Sequence, residues 1–126
     1  MKKYTTTFLL DKKNDWFEKY LRKFNFKLKN KFLFKIEKNY KKINNQDLVF
    51  ILKYTRILPK SFLKRNRLNL VVHESNLPRD KGFAPVSYQV LRGSEVIPIM
   101  IIEAEHKVDA GKIYSRDTFK LNGKEL

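Results

Sequence analysis

His73 is the residue of this chain best placed to do chemistry. It closes an apolar run, Leu70-Val71-Val72, and opens a short loop that holds Ser75, Leu77 and Pro78 and ends at Gly82. A histidine at the carboxyl end of a buried strand stands where open α/β sheets bind their ligands. Imidazole in that place can donate, accept or hold a proton near neutral pH. The other histidine, His106, lies in the charged segment EAEHKVDAG and reads as a solvated loop residue. Other chemistries find little support. There is no cysteine, which excludes disulfides, thiol nucleophiles and thiolate metal sites. His73 and Glu74 are adjacent on an extended segment and point to opposite faces, and no second histidine stands at helical spacing, so no metal site is expected. Ser75 lacks the G-x-S-x-G elbow of a serine nucleophile. The four glycines, Gly82, Gly93, Gly111 and Gly123, all fall in the second half, so no glycine-rich turn follows the first strand. That excludes a dinucleotide or P-loop site of the ordinary kind.

The elements that must position His73 can be taken in order. Tyr4 to Leu10 is β-branched and aromatic and ends at Asp11, which predicts a first strand. Asn14 or Asp15 can cap a helix whose residues Trp16, Phe17, Tyr20, Leu21 and Phe24 make one apolar face, read here as core. Phe26 to Ile36 alternates apolar residues with lysines, as one amphipathic edge strand or two short ones around Lys29-Asn30-Lys31. Residues 39–46 read as a loop. Asp47 to Leu52 is a continuous apolar run, the pattern of a strand buried on both faces. Pro59 is a stop signal, and Ser61 can cap a short helix with Phe62 and Leu63. Asn66 to Asn69 turns into the His73 strand. Pro85 and Gly93 bracket a helix Ala84–Arg92 with Val86, Val90 and Leu91 on its apolar side. Val96 to Ile102 is another buried run, in which Pro98 predicts a bulge or strand end. Residues 103–111 form an acidic loop, and Lys112 to Leu121 alternates as a last, half-exposed strand. Strand–helix–strand units of this length imply parallel pairing with right-handed crossovers.

At 126 residues the chain is read as one domain with a modest core, and 42% hydrophobic residues argue against wholesale disorder. The charge is lopsided. Residues 1–67 carry 20 Lys and Arg against 5 Asp and Glu, a net +15, while residues 68–126 carry 8 of each. A basic half beside a neutral one suits an anionic partner such as RNA, a nucleotide or a membrane surface. The same half is rich in Lys, Asn, Phe and Ile together, the bias of an AT-rich coding sequence, and its lysines are scattered rather than gathered on one face. The apolar run after Met1-Lys2-Lys3 stops at Asp11 with no cleavage site, and no run is long enough to span a bilayer. The expectation is a soluble cytoplasmic protein without a membrane partner.

At this point the chain resembles a family. HESNLPRDKGFAPV is similar to the formyltransferase signature H-x-S-L-L-P followed by a glycine and a proline-led helix. EAEHKVDAGKIY resembles the same family's acidic loop, with Asp109 in Val-Asp-Ala-Gly and Ile113 after it. Asp109 follows His73 by 36 residues, which fits the family's spacing. Upstream, LVFILKYTRILPKSFL resembles the strand and Arg-Ile-Leu turn that help shape a folate pocket. The resemblance covers residues 48–121. It implies an α/β fold with a three-layer, open, mostly parallel sheet, related to Rossmann folds. Within the single domain, residues 1–45 are a shortened basic N-terminal part and 46–121 bear the signatures. The abrupt end without a closing helix gives the expectation of a C-terminal truncation.

The resemblance also implies a reaction: transfer of a formyl group from 10-formyltetrahydrofolate to an amine. An oxyanion develops on the formyl oxygen, which matches His73 as polarising donor and Asp109 as the carboxylate that orients it or takes the amine's proton. Tyr54, Arg56, Ile57, Leu58, Glu105 and Val108 are implied as folate-binding, and Ser75, Leu77, Pro78 and Gly82 as the substrate loop. The sequence departs from the family at Val71, two residues before the histidine, where an asparagine is the second oxyanion donor. Losing one such donor costs about a hundred- to a thousandfold in rate. Asn69 shares the strand face but lies about 7 Å further along. Either Asn69 or a bulged strand substitutes, or the enzyme is slow or inactive. The preferred acceptor is a nucleotide-linked amino sugar, as in surface-polysaccharide pathways. Initiator methionyl-tRNA, held by the basic half, is the alternative. A third reading is a degenerate formyltransferase-like fold that binds RNA or another partner. A homodimer is compatible with all three.

Overall fold

In a computed structural model the described residues are 1–12, 15–23, 30–82, 84–107 and 109–124, the side chains of 15–17 excepted. They form an open, mixed sheet of six strands with few and short helices. The chain divides into two compact units, 1–70 and 71–126, each described here by itself.

In the first unit the strand order is β2-β1-β3, built from β1 (Tyr4–Leu10), β2 (Phe32–Glu37) and β3 (Leu48–Leu52). Both pairings are parallel, as the unit lengths predicted. On β1 the pleat sends Leu9 to one side and Phe8 to the other. Leu9 and Leu10 are fully buried, with Val49 and Ile51 of β3 beside them in the core. Phe8 stacks between Phe34 and Phe50 at ring distances of 5.8 and 5.5 Å, so a row of aromatic rings crosses three strands. β2 is an edge strand, and its alternation leaves Lys35 exposed. Leu33, on the same outer face, is 53% exposed. Of the two expected caps, Asp15 is itself the first residue of the helix α1 (Asp15–Lys23). Tyr20 is exposed rather than core, and Glu18 pairs with Arg22 one turn on. Asn14, Phe24 and the first residues of the alternating 26–36 segment lie outside the described residues, as do the side chains of Trp16 and Phe17.

Polar side chains set the register where β1 and β3 begin. Asp47 accepts from the backbone N–H and hydroxyl of Thr5, and its own N–H donates to the Thr5 hydroxyl. The Thr5 N–H holds the Asp47 carboxyl below the usual carboxylate range. Thr7 donates to Gln46, whose N–H donates to Asn66. The helix α2 (Lys60–Lys64) corrects one expectation: Pro59, not Ser61, is its N-cap, and no side chain caps it. Proline fixes φ at the helix entry and needs no donor there, so Ser61 falls inside the first turn. Phe62 is fully buried, edge-on to Tyr40 at 5.7 Å and under the Arg65 guanidinium.

The second unit carries the end of β4 (Asn69–His73), then α3 (Pro85–Leu91), β5 (Val96–Glu103) and β6 (Ile113–Lys120) in the strand order β4-β5-β6. α3 starts and stops where proline and glycine placed it. Gly93 takes φ +81°, and Ser94 N–H closes the helix end on Gln89 O. Its buried residues are Pro85 and Gln89; Val90 and Leu91, expected on the apolar side, are exposed. The Gln89 amide donates to the carbonyls of Glu74 and Pro85, which explains why a polar residue is buried there. Ile97, Met100 and Ile102 of β5 are core. β6 runs antiparallel to β5 and is exposed along its whole length. The irregularity in this pair lies between Ile101 and Ile102, not at Pro98, which stays in register opposite Thr118.

Two substitutions test this packing. Phe62→Ala should lower the unfolding free energy by about 3–5 kcal/mol in urea titrations, because it empties a fully buried ring site. A loss below about 1 kcal/mol would show that the site collapses freely. Gly111→Ala would drive a Cβ into the Glu103 carbonyl oxygen, a backbone atom that cannot step aside. A loss of about 3 kcal/mol is expected by the same measurement, and wild-type stability would refute the close approach.

Candidate functional site

The site lies in the second unit and grows from the end of β4. His73 is 5% exposed, and each ring nitrogen faces an acceptor. Nε2 is 3.0 Å from the carbonyl oxygen of Asp80, and Nδ1 is 3.5 Å from Oδ1 of Asp109. A carbonyl only accepts, so Nε2 carries the proton on that side. On its other side the ring faces the carboxylate of Asp109.

Asp109 is held from behind. Its Oδ2 accepts from Gly82 N–H at 2.7 Å, a short charge-assisted bond. Its backbone takes φ +52°, in the left-handed region that aspartate tolerates better than most residues. The close approach of Gly111 to Glu103 and the bond from Glu103 N–H to Lys112 O at 2.8 Å pin the chain on the far side of Asp109. The sequence Asp-Ala-Gly is therefore a positioning device: the aspartate supplies the charge, the glycine permits the contact that aims it.

The loop after His73 is organised by its own polar groups. Ser75 is fully buried and donates to Arg79 O at 2.8 Å, so its hydroxyl shapes the loop. Leu77 is half-buried and Pro78 exposed, and Leu77 N–H contacts Met100 Sδ at 3.2 Å. Gly82 meets Asp109 as described. Two residues that the sequence reading did not single out complete the loop. Asp80 has φ +56°, and both its carboxylate oxygens accept from the Arg92 guanidinium, at 3.0 and 2.7 Å. Asp80 is visible in the signature segment, but nothing in spacing alone ties it to an arginine at the end of α3.

The remaining expected residues stand elsewhere. Asn69 is buried in the first unit, and its amide is engaged: Nδ2 donates to Leu63 O at 2.9 Å and Oδ1 accepts from Asn66 at 3.3 Å. It staples the turn between α2 and β4. Val71 is half-buried on the strand and offers no side-chain donor. Also in the first unit, Tyr54 is half-buried, with its hydroxyl pKa pushed up by burial. Arg56 and Ile57 are exposed, the latter by 70%, and Leu58 is buried. Glu105 and His106 are exposed loop residues; Val108 lies outside the described residues. Among the described residues no three of His, Asp and Glu gather as a metal site, and no helix is long and apolar enough to cross a membrane.

Comparison with known proteins shows the chain's family. The model of the formyl transferase family matches residues 2–124. Methionyl-tRNA formyltransferase of Lactobacillus acidophilus is 38% identical over 76 residues, 60% of this chain and 24% of that protein. Among solved structures, methionyl-tRNA formyltransferase from Clostridium thermocellum superposes with a TM-score of 0.77 at 20% identity, over 95% of this chain and 54% of the other. HypX from Aquifex aeolicus in complex with tetrahydrofolic acid gives 0.65 at 18% identity, over 95% of this chain and 22% of that one. The match thus spans about a quarter of the length of the curated relative, and about half of the first structure. With nearly its whole length matched by the family model, the chain belongs to the formyl transferase family.

Proposed function

We propose that the protein transfers a formyl group from 10-formyltetrahydrofolate to an amine, with His73 and Asp109 as the catalytic pair. The observation that carries this reading is the buried imidazole–carboxylate contact at 3.5 Å at the end of β4. Formyltetrahydrofolate supplies the formyl carbon. His73 Nε2–H would donate to the formyl oxygen as charge develops there, a fixed donor in a site shielded from water. Asp109 would keep the ring oriented through Nδ1. The amine nitrogen would bond to the formyl carbon, the bond from that carbon to folate N10 would break, and tetrahydrofolate would leave with a proton on N10, balanced by the proton the amine gives up to Asp109 or solvent.

For the folate, Tyr54, Arg56, Ile57, Leu58, Glu105 and Val108 are proposed as contacts. An exposed isoleucine beside an arginine and a half-buried tyrosine suits a flat heterocycle with an anionic tail. Ser75, Leu77, Pro78 and Gly82 are proposed as the loop facing the acceptor. Asn69 is assigned a structural part, because its amide is already engaged with Leu63 and Asn66.

Of the two acceptors weighed from the sequence, methionyl-tRNA gains support from the names of the relatives, and the nucleotide-linked amino sugar gains none. The net +15 of residues 1–67 suits a nucleic-acid acceptor as well.

The test is a formylation assay with 10-formyltetrahydrofolate, run separately on charged initiator tRNA and on nucleotide-linked amino sugars. Transfer to the tRNA is expected. His73→Ala should lower it by at least about a hundredfold and Asp109→Asn by a comparable factor. Undiminished transfer in both variants would refute the pair. Salt-sensitive RNA binding with no folate binding would instead identify a non-catalytic member of the family.

A further inference from the structure

In the resting site the Nε2–H of His73 is already in use. It donates to the Asp80 carbonyl at 3.0 Å, while Nδ1 faces Asp109, so neither nitrogen is open to a third partner. The Asp80 carbonyl does not reach this place by default. Asp80 sits in the left-handed region at φ +56°, and its carboxylate is gripped through both oxygens by Arg92. The Arg92 guanidinium holds the Asp80 carboxyl below the usual carboxylate range, so the grip persists at neutral pH. Bidentate arginine–carboxylate pairs fix orientation as well as distance. The ends of the loop have their own ties, Ser75 to Arg79 O and Gly82 N–H to Asp109. Leu77 N–H meets Met100 Sδ between them, and Arg92 ties the loop at Asp80.

We propose that Arg92, acting through Asp80, is a positioning residue for His73: it holds the Asp80 carbonyl as the resting partner of Nε2, a place that an oxygen to be polarised must take over. That the incoming oxygen belongs to a formyl group rests on the function proposed above. The carbonyl keeps a buried donor satisfied before substrate arrives, and the strength of the Arg92–Asp80 pair sets how readily it gives way. Arg92 is 41% exposed, so the pair is of the kind that yields without large cost.

The experiment uses the full chain with ¹⁵N-labelled histidine, comparing wild type with Arg92→Gln, Arg92→Lys and Asp80→Asn in long-range ¹H–¹⁵N spectra. In wild type the Nε2 proton should be protected from solvent exchange. Arg92→Gln and Asp80→Asn should each speed that exchange by about tenfold or more, with Arg92→Lys keeping most of the protection. Unchanged Nε2 signals and exchange in Arg92→Gln and Asp80→Asn would overturn the proposal. Titration with 5-formyltetrahydrofolate adds a second arm. Arg92→Gln should bind it about two- to fivefold more tightly than wild type, and weaker binding would overturn the displacement step. If wild type binds no folate while exchange responds as expected, the formyl-transfer reading fails and the positioning role stands.

Discussion

The second unit depends on one buried contact, the His73 imidazole against the Asp109 carboxylate. Both side chains are more than nine-tenths buried, and an ionised carboxylate removed from water is costly unless each oxygen finds a donor. Oδ2 accepts from Gly82 N–H, and Oδ1 lies 3.5 Å from Nδ1 of His73. The imidazole in turn needs an acceptor for its far nitrogen and takes the Asp80 carbonyl. These demands explain the unit's construction. β4 must end at His73 so that the ring leaves the strand, and the loop must return two backbone groups, one carbonyl and one N–H, to the same place. The chain after β5 must turn tightly enough at Gly111 to bring Asp109 back to it. The left-handed residues Asp80 and Asp109 are where the backbone bends to satisfy these conditions.

The first unit solves a similar problem with neutral amides. Thr7, Gln46, Asn66 and Asn69 are linked in sequence by hydrogen bonds, from the first strand to the start of β4. Gln46, Asn66 and Asn69 also meet needs of the backbone. Asn66 takes the Phe62 carbonyl and the Gln46 N–H, and Asn69 takes the Leu63 carbonyl at the unprotected end of α2. A five-residue helix has few internal bonds, so side-chain amides stand in for a longer ladder. Those bonds account for Asn69 without any catalytic part.

Much of this was legible in the sequence where one local force dominated. β1 follows a β-branched run that stops at an aspartate, and α3 lies between a proline and a glycine; both boundaries agree with the pattern. The parallel β1–β3 pairing followed from the spacing of strands and helices. What could not be read were outcomes decided by partners distant in sequence. Gln89 is buried because the Glu74 carbonyl lies above it, while the apolar Val90 and Leu91 on the same short helix stay exposed. Pro98 keeps its register, since a missing N–H disturbs a strand only where the ladder calls for it. The Arg92–Asp80 pair joins residues 12 apart across a loop and a helix, a separation at which no periodicity speaks.

Val71 bears on how the proposed reaction would run with one side-chain donor. A valine shares the pleat face of His73 two residues upstream, and it is only half-buried. Asparagine there would add a donor and also a dipole that must be satisfied whenever substrate is absent. Valine removes both. The resting state then has one buried donor to satisfy, and the Asp80 carbonyl satisfies it. A single-donor site and a loop carbonyl held by Arg92 are thus two sides of one arrangement. In the reaction proposed above, that proton stays paired with the chain's own carbonyl until an oxygen from outside replaces it.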